Sequence, residues 1–134
     1  MLILRTAAVA TSLTSLISIR TIVSKTGAVL DALMDTITER RDNPPERSYT
    51  TSLFQGGVEK IGAKITEEAA EVVEAAAEGT DQAAVDHLTY EAADLIYHLF
   101  VMLRHRNVAL ADVTDELERR FGLSGLDEKE SRGS

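Results

Sequence analysis

The run Glu91-Ala92-Ala93-Asp94-Leu95-Ile96-Tyr97-His98-Leu99-Phe100-Val101-Met102-Leu103 decides the fold. From Leu95 to Leu103 it is apolar nearly all round, which predicts a central, buried helix rather than a surface one. The surrounding chain is rich in alanine, leucine and glutamate and poor in aromatics, a balance that favours helix over strand. This helix is expected over 83–106, with a turn near Asn107. Glu91, Asp94 and His98 lie on one stripe of it, close to leucines.

Working upstream, a long helix is expected from Val58 to about Glu78, closed by Gly79-Thr80-Asp81. Gly56-Gly57 interrupts or kinks it near its start, and Ser48, Thr50, Thr51 and Ser52 are all suitable caps. Leu30, Leu33, Met34 and Ile37 follow the i, i+3, i+4, i+7 rule, so 28–41 reads as an amphipathic helix. Asn43-Pro44-Pro45 ends it, because proline breaks the hydrogen-bond ladder and restricts the residue before it. Downstream, Leu110, Val113, Leu117 and Phe121 form the apolar stripe of a last helix over 110–121, stopped by Gly122-Leu123-Ser124-Gly125. The polar tail beyond is expected to have no structure of its own. The fold class is all-α, a helical bundle formed by one domain over 28–134.

Residues 1–27 are set apart as an N-terminal extension. Thr6 to Ile19 is an apolar, hydroxyl-rich run between Arg5 and Arg20. Its interrupting hydroxyls and the lack of a small-residue cleavage site oppose a secretory signal. Its polarity and length oppose a membrane span. A transit peptide, which would make the protein organellar, and an over-called start, with a cytoplasmic protein, both stay open.

The 134 residues include no cysteine, which excludes disulfides, thiolate metal sites and a cysteine nucleophile. Any metal must be held by oxygen or imidazole. Arg5, Arg20 and Lys25 are the only charges before Asp31, and subtracting that +3 from the net −8 leaves −11 for residues 31–134. An acidic body argues against a nucleic-acid backbone as partner, since no broad phosphate-neutralising surface can be drawn from it. It also obliges any phosphorylated substrate to arrive with a divalent cation or to meet placed lysines.

Glu68/Glu71 on the first long helix and Glu91/Asp94 on the second have i, i+3 spacing, one turn apart on one side of a helix. On antiparallel neighbours two such pairs supply four oxygen ligands to magnesium or manganese. The plainer alternative is a solvated face. For the first helix that alternative is strong, because Lys60, Lys64, Glu67, Glu71 and Glu78 lie opposite Ile61, Ile65, Ala69, Val72 and Val73. The second helix shifts the balance. An unpaired buried carboxylate costs several kcal/mol, and two carboxylates about 5 Å apart repel by about 3 kcal/mol at an effective dielectric near 20. A bound cation relieves both costs.

Ser48-Tyr49-Thr50, Leu53-Phe54, and Lys60 and Lys64 leading into Glu67-Glu68-Ala69-Ala70-Glu71 together resemble phosphoribosyl-ATP pyrophosphatases. So do Glu91-Ala92-Ala93-Asp94-Leu95-Ile96-Tyr97-His98, Glu116-Leu117-Glu118-Arg119-Arg120, and Ser124-Gly125 with Glu128-Lys129 and Arg132. The resemblance spans about 30–132. Its acidic pairs are shared with helical pyrophosphatases that cleave dNTPs, whereas its Ser-Tyr-Thr, Asp-Leu-Ile-Tyr-His and tail segments are far more specific. Thr66 stands where a glycine is common and Ala109 replaces a usual capping hydroxyl; neither touches a proposed ligand.

The resemblance implies an all-α homodimer that hydrolyses phosphoribosyl-ATP to phosphoribosyl-AMP and pyrophosphate, the second step of histidine biosynthesis. It implies Glu68, Glu71, Glu91 and Asp94 as ligands of Mg2+ (or Mn2+), with Glu67 orienting or deprotonating the attacking water. Lys60 and Lys64 would grip phosphate, against the alternative of an i, i+4 ion-pair ladder. Lys129 and Arg132 would do so if the tail folds over the site. His98 is expected as a hydrogen-bond partner behind the ligands rather than as a ligand, because magnesium prefers oxygen. Tyr97 reads as core, and His87 and His105 receive no role. A house-cleaning dNTP pyrophosphohydrolase and a non-enzymatic helical interaction module are the competing functions.

Overall fold

The structure is a computed structural model describing residues 25–121, 132 and 133. Among these residues there are helices and connecting turns and no strand. The helices are α1 over 25–42, α2 at Tyr49–Ala77, α3 at Gln82–His105 and α4 at Leu110–Arg120. None is long and apolar enough to cross a membrane. Residues from Ile37 onward belong to the unit that carries the acids, and residues 25–36 of α1 lie outside it.

Each helix starts and stops where side-chain chemistry directs. Ser48 is the cap of α2, its hydroxyl accepting from the Thr51 N–H at 3.3 Å. Asp81 caps α3 by accepting from the Ala84 N–H at 2.9 Å. Asn107, at φ 58°, ends the connection out of α3 in the left-handed region that asparagine tolerates. Arg104 and His105 occupy the last turn of α3, where cations offset the helix dipole. Ala109 offers no side-chain cap to α4, and Asp112 compensates by accepting from the Ala109 N–H at 3.0 Å.

The expected helix from Val58 extends nine residues further back, to Tyr49, with Ser48, one of the expected caps, at its start. The expected interruption is present at Gly57, whose φ of 66° and ψ of −158° break the helical geometry within α2. That backbone region is essentially reserved for glycine. A Cβ there would meet only His105 Nε2, at 3.9 Å, so the constraint is conformational rather than steric.

α2 and α3 pack antiparallel along their length: Thr50 meets Tyr97 near one end and Glu78 meets His87 near the other. Three buried positions on each helix recur at intervals of seven: Ile61, Glu68 and Ala75 on α2, and Ala84, Glu91 and His98 on α3; Thr50 and Leu53 of α2 and Phe100 and Val101 of α3 are buried beside them. A seven-residue interval is the seam of two helices lying side by side. Ile61 and Ala75 are fully enclosed, as are Ile37, Leu53 and Val101. Burial of these apolar side chains, at about 25 cal/mol per Å2, stabilises the packed helices.

The expectation that α3 is buried all round is corrected. Ile96 and Leu99 remain 40% and 42% exposed, because α2 covers one side of α3 only. On α4 no residue is buried, and Leu117 and Phe121 of its predicted stripe are exposed.

Candidate active site

Three seam positions that would ordinarily hold aliphatic side chains carry Glu68, Glu91 and His98, all below 9% exposure. Packing of α2 on α3 therefore directs two carboxylates inward from opposite helices. Asp94, one turn after Glu91 and half-buried, joins them. One carboxylate oxygen each from Glu68, Glu91 and Asp94 lies within 4.8 Å of the others, and a second group with the same spacing comprises Glu67, Glu68 and Glu71. Glu68 belongs to both. The four expected ligands thus fall in two overlapping groups that share Glu68, with Glu71 in one and Glu91 and Asp94 in the other.

Cations and hydrogen bonds hold this concentration of negative charge together. Lys64 reaches Glu68 at 2.8 Å and Glu67 at 2.9 Å. The Lys64 ammonium hydrogen bond lowers the Glu68 pKa against the opposing effect of burial. Glu71 is pushed the other way, chiefly by its hydrogen bond with Glu68, then by burial and repulsion from Glu68, Glu91 and Glu67. Lys64 is accordingly in the ion-pair ladder that competed with a phosphate role, while Lys60 instead donates to the Ser52 hydroxyl at 3.3 Å.

His98 lies behind the cluster. Its Nδ1–H donates to the Asp94 carbonyl oxygen at 2.8 Å, so Nε2 accepts from the Tyr49 hydroxyl at 3.0 Å. Nδ1 is also 3.8 Å from a Glu68 carboxylate oxygen. Tyr49 stacks on Tyr97 with ring centroids 6.5 Å apart, and the Tyr97 hydroxyl bonds to the buried Thr50 hydroxyl. Tyr97 is therefore more than core filling: it ties the first turn of α2 to the turn of α3 just beyond Asp94.

His87, given no role from the sequence, bridges Glu78 and Glu91. Nδ1–H donates to both Glu78 oxygens at 3.0 Å and Nε2–H to Glu91 at 3.0 Å. Both nitrogens face carboxylate oxygens, an arrangement that favours the imidazolium, and the pKa of the ring is raised chiefly by the Glu78 hydrogen bond. The i, i+4 spacing of His87 and Glu91 was visible, but Glu78 belongs to the other helix and only packing brings it there. Phe54 and His105 pair at 6.2 Å away from the acids. Glu67 is exposed. Arg132 is exposed too, and Lys129 lies outside the described residues.

A profile of the phosphoribosyl-ATP pyrophosphohydrolase family matches residues 30–121, which include every one of these acids. A phosphoribosyl-ATP pyrophosphatase of Rhodopirellula baltica is 53% identical over 103 residues, covering 77% of this chain and 85% of that protein. The chain belongs to the phosphoribosyl-ATP pyrophosphohydrolase family. Proteins of the same name from Geobacter sulfurreducens and Rhizobium johnstonii are each 47% identical, over 78% and 81% of this chain and 93% and 97% of theirs. Membership in the phosphoribosyl-ATP pyrophosphohydrolases makes the chain a hydrolase of phosphoanhydrides rather than an interaction module.

Proposed function

We propose that this protein hydrolyses phosphoribosyl-ATP to phosphoribosyl-AMP and pyrophosphate. The observation that carries the reading is the convergence of Glu68, Glu91 and Asp94 from two helices onto a space small enough for one ion. An all-oxygen donor set of this kind suits a hard divalent cation, magnesium or manganese. Lys64 and His87 offset part of the cost of burying Glu68 and Glu91, while the Asp94 carboxylate beside them has no such partner among the described residues, which a bound cation would supply.

In this proposal Glu68, Glu91 and Asp94 hold the cation, and Glu71 contributes through Glu68. When bound, a divalent cation neutralises triphosphate charge, polarises the anhydride and lowers the pKa of water. The chain's own residues do the rest. Glu67, exposed and beside Glu68, orients or deprotonates the water that attacks at the α–β anhydride; that bond breaks and pyrophosphate departs. Lys64 is freed to meet phosphate oxygens as the cation takes over Glu68, and Lys60, one turn earlier and exposed, is placed for the same task. Lys129 and Arg132 are further candidates for phosphate contact. His98 orients the turn of α3 that carries Asp94 without itself acting as a ligand.

We further infer a homodimer. Ile96, Leu99, Leu117 and Phe121 leave apolar surface exposed on a single chain, and a second copy is the simplest cover. Light scattering that returns the mass of one chain would refute this.

The test of function is pyrophosphate release with phosphoribosyl-ATP and dUTP compared side by side, with and without magnesium. Magnesium-dependent release from phosphoribosyl-ATP, in clear preference to dUTP, is expected. Preference for dUTP would assign the protein to dNTP house-cleaning, and no release from either would remove the proposal.

A further inference from the structure

A cleft of about 250 Å3 opens at the first turns of α2, lined by Arg40, Arg41, Pro44, Thr51, Phe54 and Gln55. In a body this acidic, its charge is the unusual feature. Arg41 is committed to the fold: it donates to Asp42, to the Arg104 carbonyl oxygen at 2.9 Å and to Asn107 Oδ1 at 2.8 Å. Arg40 is not. Its one hydrogen bond among the described residues is to the Thr50 hydroxyl at 3.4 Å, and no carboxylate there pairs with it. A guanidinium has five N–H donors in a rigid fork that fits a phosphate, so most of its capacity is unspent. Gln55 adds an exposed amide. Thr51 Oγ1 is buried without a partner among the described residues.

The cleft lies beyond the acids toward the C-terminal end of α3, where Arg41 donates to the Arg104 carbonyl oxygen, ten residues or about 15 Å along the helix past Asp94. Thr50 connects the two places, holding Arg40 on one side and the Tyr97 hydroxyl on the other.

We propose that Arg40 and this cleft bind the second phosphate of the substrate, the monoester on the ribose attached to the adenine ring, an assignment that rests on the function proposed above. Phosphoribosyl-ATP carries phosphates at both ends, with two riboses and a purine between them. With its anhydride at the acids, its monoester extends away from the reacting atoms. ATP and dNTPs have nothing to place there. Arg40 therefore acts in selectivity, through binding, and not in cleavage.

Steady-state hydrolysis of phosphoribosyl-ATP by wild type, Arg40→Ala and Arg40→Lys tests this. Arg40→Ala is expected to raise KM by about 10- to 100-fold, the range for losing a charge-assisted contact, with kcat within about twofold. Arg40→Lys is expected to recover part of the loss, which a structural role would not require. In parallel, ribose 5-phosphate is titrated into the metal-free protein and followed by amide NMR. Shifts at Thr51 and Gln55 are expected in wild type and not in Arg40→Ala. An unchanged KM in Arg40→Ala overturns the proposal whatever the spectra show. Should wild type release no pyrophosphate from phosphoribosyl-ATP, the proposed function fails instead, and the titration alone decides the cleft: no shift there overturns it.

Discussion

Replacing Asp94 by Asn isolates the charge argument, because the Asp94 carboxylate has no hydrogen-bond or ion-pair partner among the described residues to lose. Glu68 is held by Lys64 and Glu91 by His87, and both lie within 4.8 Å of Asp94. Each repulsion is about 3 kcal/mol at an effective dielectric of 20. Half-exposure of Asp94 and the two neighbouring cations reduce the net penalty to about 1 kcal/mol. Asp94→Asn should therefore melt about 4–8 °C above wild type without metal. Saturating magnesium should reverse the order. An ion at 100 times its dissociation constant adds about 2.7 kcal/mol to a protein that binds it, and the variant has lost one of three ligands. Melting curves for both proteins, with EDTA and with magnesium, should cross, and the variant should release no pyrophosphate. The reasoning is refuted if Asp94→Asn is less stable than wild type in EDTA, or if magnesium raises both melting temperatures equally.

Three further outcomes are expected. Glu71→Gln should stabilise the metal-free protein at neutral pH and make little difference in acid. The raised pKa of Glu71 means the native state gains stability when this group is protonated and loses it as pH rises from the ordinary carboxylate value of 4.5 through the folded pKa; equal effects at both pH values in urea unfolding would contradict this. His87→Ala should lower the melting temperature at mildly acidic pH and much less at alkaline pH. Stability from a raised imidazole pKa is fully present below 6.5 and is lost as pH rises through the folded value, so a pH-independent loss would show that the bridge to Glu78 and Glu91 is not ionic. Gly57→Ala should cost about 1–3 kcal/mol in denaturant unfolding, since the backbone there is nearly forbidden to other residues; a neutral effect would mean that the break in α2 is not needed.

Helix content was readable from periodicity and punctuation, and most ends fell within a few residues of the expectation. The larger difference, at the start of α2, arose at Gly56-Gly57, which marks a break in the sequence without revealing that the turns before it, where Thr50 and Leu53 are buried, are helical too. The acidic pairs were readable as well, but their weighting was not. Glu68 and Glu71 are one turn apart and look alike in sequence, yet Glu68 lies in the seam while Glu71 lies at its edge. The seven-residue interval Ile61, Glu68, Ala75 was present to be counted, and it singles out Glu68 from its neighbours.

The chain's order of residues was enough to establish an all-α protein, the family and the identity of the acids, because helix periodicity, caps and contiguous motifs are local properties. Only the packed pair of helices decided that Glu68 rather than Glu71 joins Glu91 and Asp94. It also decided that Lys64 neutralises these acids, that His87 ties Glu91 to Glu78, and that one side of α3 stays uncovered. Those outcomes depend on which face of α2 meets which face of α3, and that register is set by the fit of side chains across the seam, between residues distant along the chain.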